Sequence, residues 1–232
     1  MKYALFVSLL PLALGCQPIE PSGTVGELHQ GGFDYCESPD ICDGAPIPDR
    51  IAVASTFLLS FSEDATVSSD SPKLLAGPSG GDPTFHALGA GHVKVSARDP
   101  DGALVDYVTV DLSDIAGVDL VQCARAFNAV RTAGDVFFPS DCDGGTTKVL
   151  TISRGDSLAP TVCVRMLDED DDVLGGAPDA DWTVSTDASA ALQLEVARDP
   201  RCATVGGLTL GRARVTVAIG EANAGLDVQV EP

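Results

Sequence analysis

Apolar and polar positions alternate in short runs along most of this 232-residue chain. Between residues 92 and 98, Val93, Val95 and Ala97 take one parity and His92, Lys94 and Ser96 the other, the period of two that marks a strand with one buried face. Ile51-Ala52-Val53, Phe57 to Phe61, Ala65 to Ser68, Phe85 to Leu88 and Leu104 to Leu112 are further short β-runs. Gly- and Pro-rich stretches separate them, such as Gly77 to Pro83. Asp99-Pro100-Asp101-Gly102 has the chemistry of a tight turn, since Pro presets φ and Gly accepts positive φ. Short strands with turn signals every 8–12 residues predict an all-β chain built of sandwiches.

The pattern repeats. Thr66-Val67-Ser68-Ser69-Asp70 recurs 117 residues later as Thr183-Val184-Ser185-Thr186-Asp187, and Leu88, Gly91, Val95, Val108 and Val110 meet Leu208, Gly211, Val215, Val228 and Val230 at an offset of 120. Trp182, Ser185, Thr186, Asp187, Gly211, Ala213, Val215 and Val217 together resemble the repeats of bacterial immunoglobulin-like domains. The resemblance implies two immunoglobulin-like β-sandwiches, over residues 47–113 and 114–232. Trp182 is expected to pin the core between the sheets of the second. The first copy has Ala65 where the family has Trp and lacks a preceding hairpin, so it is expected to be trimmed. Within 115–147, Val118 to Val121 and Val136-Phe137-Phe138 are candidate strands of an insertion.

The N-terminus follows another rule. Lys2 precedes a twelve-residue apolar run, Tyr3 to Leu14, and Ala13-Leu14-Gly15-Cys16 closes it. That run falls short of the ~20 residues a spanning helix needs and has the form of a secretory signal. The closing tetrapeptide resembles the lipobox of bacterial lipoproteins. The resemblance implies removal of residues 1–15 and acylation of Cys16, with the membrane met through this N-terminal lipid; Gln17 points to the outer membrane. An ordinary signal peptide with an incidental cysteine is the alternative. Residues 16–46, broken by Pro18, Pro21, Gly23, Gly26, Gly31 and Gly32, read as a flexible tether carrying a small knob at Cys36 and Cys42.

Charge and cysteine usage sharpen the picture. The formal net charge is −20, from 14 Lys and Arg against 34 Asp and Glu, and no basic run exists, which excludes nucleic acid as a partner. Six cysteines remain once Cys16 is set aside: Cys36, Cys42, Cys123, Cys142, Cys163 and Cys202. An even number in an exported chain predicts disulfides, with about 15 possible pairings. Proximity suggests Cys36–Cys42, Cys123–Cys142 and Cys163–Cys202.

Catalytic motifs are lacking. No nucleophile elbow, phosphate loop or His-Glu-x-x-His occurs, so no enzyme is expected. His86 and His92 flank the Leu88–Gly91 turn and would need a further ligand to hold a metal. Arg154-Gly155-Asp156-Ser157 spells a cell-attachment tetrapeptide and reads more simply as a turn. Asp168-Glu169-Asp170-Asp171-Asp172 is the densest acidic run. Asp168, Asp170 and Asp172 are the candidate ligands of a calcium ion, although the run lacks the Asp-x-Asp-x-Asp-Gly spacing and a solvated turn is the simpler reading. No other cofactor is expected. The function anticipated is that of a lipid-anchored lipoprotein displaying its domains to an unidentified protein or envelope partner, the alternative being a calcium-dependent adhesive or ligand-binding module.

Overall fold

The computed structural model describes residues 32–37, 47–61, 65–78, 83–123, 146, 148–155, 159–185, 192–197 and 200–232. Cys16, Cys42, Cys142, Val136-Phe137-Phe138 and the tether before residue 32 lie outside these residues.

The described chain is all-β and forms two immunoglobulin-like sandwiches. In the first, β1 (Phe33–Cys36), β3 (Ser55–Phe61), β6 (Thr84–Ala87) and β5 (Leu75–Ala76) lie side by side in that order. Facing them is a sheet ordered β2 (Ile51–Ala52), β8 (Leu104–Ser113), β7 (Gly91–Arg98) and β4 (Thr66–Ser69). The alternation read from residues 92–98 is the burial pattern of β7, where Val93, Val95 and Ala97 are all buried. Val93 and Val95 pack with Phe57, Leu59, Phe85, Val108, Val110 and Leu112, and the Phe57 and Phe85 rings stack at 5.7 Å.

The second sandwich has the same strand order. β9 (Gly117–Cys123), β11 (Thr161–Leu167), β16 (Cys202–Gly207) and β15 (Leu192–Val196) make one sheet, and β10 (Val149–Ser153), β18 (Ala222–Glu231), β17 (Gly211–Ile219) and β14 (Asp181–Val184) the other. Leu120, Ile152, Val162, Val164, Val205, Val215, Val217, Leu226 and Val228 fill its core. Every strand from β1 to β8 thus has a counterpart. The first copy is not trimmed: it opens with β1, paired antiparallel to β3 as β9 is to β11. Phe33–Cys36, read from sequence as tether, is that strand, because Tyr35 and Cys36 are buried and Phe33 meets the Phe61 ring at 5.1 Å. Likewise Gly117–Cys123 is an integral strand of the second sandwich, along the whole of β11.

The register refines the repeat. Gly91 and Gly211 open β7 and β17 with φ of 143° and 148° and anchor the offset of 120. Val95 pairs with Val108, but its counterpart Val215 pairs with Leu226. Val108, Val110 and Leu112 therefore correspond to Leu226, Val228 and Val230. Similarly Val67 pairs with Ala97 as Trp182 pairs with Val217, so the tryptophan's counterpart is Val67, not Ala65. Asp70 N–H donates to Lys94 C=O as Ser185 N–H does to Arg214 C=O. Two-residue slips leave every side chain on its original face, which is why sequence identities line up in the wrong frame without breaking the pattern.

Truncating Leu226, fully buried, by Leu226→Ala should cost ~2–5 kcal/mol, read from the urea midpoint at constant m-value.

Candidate functional site: the junction between the sandwiches

Three residues, Asp114-Ile115-Ala116, join β8 to β9, so the sandwiches are forced into contact. The contact is built mainly by the connection from β11 to β14, residues 168–180. The corresponding connection in the first copy, from β3 to β4, spans only residues 62–65. The longer one begins as a tight acidic turn in which Asp171 takes a φ of 64° and its N–H donates to Asp168 C=O. β12 (Val173–Leu174) then returns along β11 before the chain crosses over. Gly175 N–H donates to Arg50 C=O at 2.9 Å and Gly175 C=O accepts from Ala52 N–H at 3.0 Å. β13 (Ala177–Pro178) next pairs antiparallel with Thr56 and Ser55 of β3. The second sandwich thereby adds a strand to a sheet of the first.

Both glycines are required by the close approach. A Cβ on Gly175 would run into the Pro48 ring, and one on Gly176, whose φ is 94°, into Ser55 Oγ. Gly176 N–H donates to the Tyr35 hydroxyl at 2.9 Å, which satisfies a polar group on a side chain only 1% exposed. Ala52, though on β2 of the first sandwich, belongs to the core of the second.

Two charge clusters flank the arm. Arg201 and Glu37, both buried, form an ion pair across the junction. It is a contact of charges more than an aligned hydrogen bond, since Glu37 Oε2 has no hydrogen-bond partner among the described residues. Burial pushes the Arg201 guanidinium down to about 10, opposed by Tyr35, so it remains charged at neutral pH. The Cys163–Cys202 disulfide fixes Arg201 in place: the two cysteines face each other on β11 and β16 with Cα atoms 4.1 Å apart, and the adjoining Val164 N–H donates to Arg201 C=O. Cys36 and Cys123 occupy matching places at the ends of β1 and β9, opposite Leu58 and Thr161, and both are disulfide-bonded. The partners expected for them, Cys42 and Cys142, lie outside the described residues.

The second cluster is the acidic turn. The Asp168, Asp170 and Asp172 carboxylates converge within 4.8 Å. Asp168 Oδ1 accepts the N–H groups of Asp170 and Asp172, each at 2.9 Å, and its Oδ2 is paired with Arg50 Nη1. The same guanidinium nitrogen lies 3.5 Å from Asp170 and 3.8 Å from Asp172. A cation thus already sits among the three carboxylates, and it belongs to the first sandwich. Burial pushes the Asp168 carboxyl up, but the Asp172 N–H, Arg50 and the Asp170 N–H outweigh it and hold the group below the usual carboxylate range. The Arg50 guanidinium is correspondingly raised, chiefly by its hydrogen bond to Asp168.

Other candidates part company. His86 is on β6 and His92 on β7, in opposite sheets, and His92 pairs instead with Asp111 at the surface. Trp182 is half-buried against the second core, its indole N–H donating to Pro200 C=O at 2.9 Å. Arg154 and Gly155 form a turn tied by backbone hydrogen bonds to Glu231 and Gly207. Sequence reasoning passed over Arg50, Glu37 and Arg201. The available signal was scarcity: with so few basic residues, an arginine beside a cysteine or facing an acidic run is a candidate counter-ion. Gly175-Gly176 marks a close backbone approach.

Neither a family model nor a curated protein matches the sequence. Among solved structures, domains 4 and 5 of the S-layer protein SbsC align at 14% identity over 87% of this chain and 98% of that one, with a TM-score of 0.32. InvD of Yersinia pseudotuberculosis aligns at 16% over 80% of this chain and 56% of that one, with a TM-score of 0.34. The D00-D0 domain of intimin aligns at 11% over 85% and 96%, with a TM-score of 0.29. At TM-scores this low the alignments carry no argument, and the fold rests on the chain's own strands.

Replacing Arg201 by Met strands the Glu37 carboxylate and should destabilise the protein by ~3–5 kcal/mol, while pairing that change with Glu37→Gln should recover most of the loss. Equal stability of both variants in denaturant melts would refute the pair's role. Asp168→Asn should lower stability at neutral pH. Because the folded carboxyl titrates below its unfolded value of ~3.9, the difference between variant and parent should be complete above that pH and fade as pH falls through the depressed value.

Proposed function

We propose that this chain is an exported bacterial envelope protein, held to a membrane by lipid on Cys16, that presents its two sandwiches as one stiff unit to a protein or envelope partner. The role is structural or binding and not catalytic. The observation that supports it best is the arm from Gly175 to Pro178, which makes one sandwich part of the sheet of the other. A chain that spends a thirteen-residue connection, two glycines and a buried ion pair on its own junction is built to hold a fixed geometry. The signal-like N-terminus and disulfide-bonded Cys36, Cys123, Cys163 and Cys202 suit an oxidising compartment. The outer membrane is the location we favour.

The second reading, a calcium-dependent adhesive or ligand-binding module, is favoured by the convergence of Asp168, Asp170 and Asp172. Arg50 argues against it, since a divalent ion would have to displace the guanidinium and break the junction.

Cys16→Ser should abolish acyl labelling and release the protein from membranes; a variant that stays membrane-bound would sink the anchor. Melting temperatures in millimolar calcium and in chelator should coincide, and a rise of several degrees with calcium would decide for the second reading.

A further inference from the structure

The two sandwiches differ on one matched face. β7 and β17 share a frame from Gly91 and Gly211, so His92 and Lys94 stand where Arg212 and Arg214 do, outside the buried Val93 and Ala213. Opposite them lie Asp111 and Thr109 on β8, matched by Gln229 and Asp227 on β18; one pair further along, Tyr107 is matched by Gly225. In the first copy both basic side chains are taken. His92 Nδ1 meets Asp111, and Lys94 Nζ lies 3.5 Å from the centre of the Tyr107 ring. In the second copy the ring is absent. The Arg214 guanidinium lies where a side chain on Gly225 would begin, and its Nη1 donates to Asp227 Oδ1 at 2.7 Å. The acid is absent too, since Gln229 stands in place of Asp111 and gives its Nε2 to Glu231 at 2.9 Å. The Arg212 guanidinium is exposed and has no ion-pair or hydrogen-bond partner among the described residues. On this face lies a groove of about 550 Å³, bordered by Val149, Ser185, Arg212, Arg214, Asp227 and Gln229.

We propose that this groove binds an acidic sugar, a single carboxylate on a hydroxylated ring, with Arg212 as its anchor. A guanidinium presents parallel N–H donors that match the two oxygens of a carboxylate. The charge of Arg214 is answered by Asp227, so the groove holds one uncompensated positive charge and suits a ligand with one negative charge. Its other polar groups suit hydroxyls. Ser185 Oγ accepts the Arg214 N–H at 3.1 Å and keeps its own O–H to donate, while Asp227 Oδ2 and Gln229 Oε1 are left to accept. Val149, 62% exposed on β10 opposite Asp227, gives an apolar wall for the C–H face of a ring. The volume is that of a small-ligand cleft. In the first copy Tyr107 and Asp111 occupy the matching basic side chains, so the site belongs to the second sandwich. An acidic sugar gives a chemistry to the envelope partner proposed above and rests on that reading. The Cys16→Ser experiment reads anchoring and a titration reads the ligand, so each can fail without the other.

The test titrates the full chain in detergent with methyl glucuronide, with methyl glucoside and acetate as controls, following the Arg212 Nε–H resonance and the ligand's own signals. Methyl glucuronide should shift that resonance saturably in the millimolar range, and each control should bind about tenfold more weakly. Arg212→Gln should abolish the saturable binding seen from the ligand. Gln229→Asp, which restores the acid of the first copy beside Arg212, should weaken it several-fold. Neither change should lower the melting temperature, because neither side chain is buried. No saturable shift at Arg212, equal binding of the glucoside or of acetate, or unchanged binding by either variant would each overturn the proposal.

Discussion

A β-strand with an open side carries amides and carbonyls that must find partners wherever water is excluded. The three-residue link between these sandwiches presses the outer side of β2 and one end of β3 against a neighbour, so water cannot serve them. The arm from Gly175 to Pro178 resolves this by hydrogen bonding. The rest of the junction follows from it: glycines because the backbones come close, the Tyr35 hydroxyl because Gly176 N–H is buried, and Arg201 with Glu37 because a buried charge must be answered by another.

Electrostatics gives the junction its selectivity. In a chain of net charge −20, like-charged surfaces repel, and a contact persists only where the few cations are well spent. Arg50 answers a carboxylate that is itself oriented by two backbone amides, so the pair is geometrically fixed and not merely proximal. Hydrophobic burial alone would bring two sandwiches together in many orientations; these paired charges accept one.

Much of the fold was legible because strand periodicity is robust. Val93, Val95 and Ala97 announced a buried face, and the internal repeat announced a second copy. The same robustness hid the frame: with a period of two, Val108 aligns as well with Val228 as with its real counterpart Leu226. β1 was missed because Phe33–Cys36 is short and follows a glycine-rich stretch, and only its pairing with β3 distinguishes it from tether. The junction was least legible. Its members lie more than a hundred residues apart, Arg50 from Asp168 and Tyr35 from Gly176, and neither spacing nor composition connects them. The acidic run is legible as a turn and as a candidate ion site, but not as half of an ion pair, because sequence displays the carboxylates together while the arginine that meets them is elsewhere.

The Cys163–Cys202 bond has a mechanical consequence. A protein held at one end and engaged at the other bears tension along its backbone. A covalent bridge across 39 positions removes the enclosed residues from the load path and withholds ~130 Å of extension. The arm from Gly175 to Pro178 lies within that closed loop. Tension along the chain therefore crosses the bridge and does not enter the arm through either of its ends, so the segment that joins one sandwich to the other is not drawn out along its own backbone.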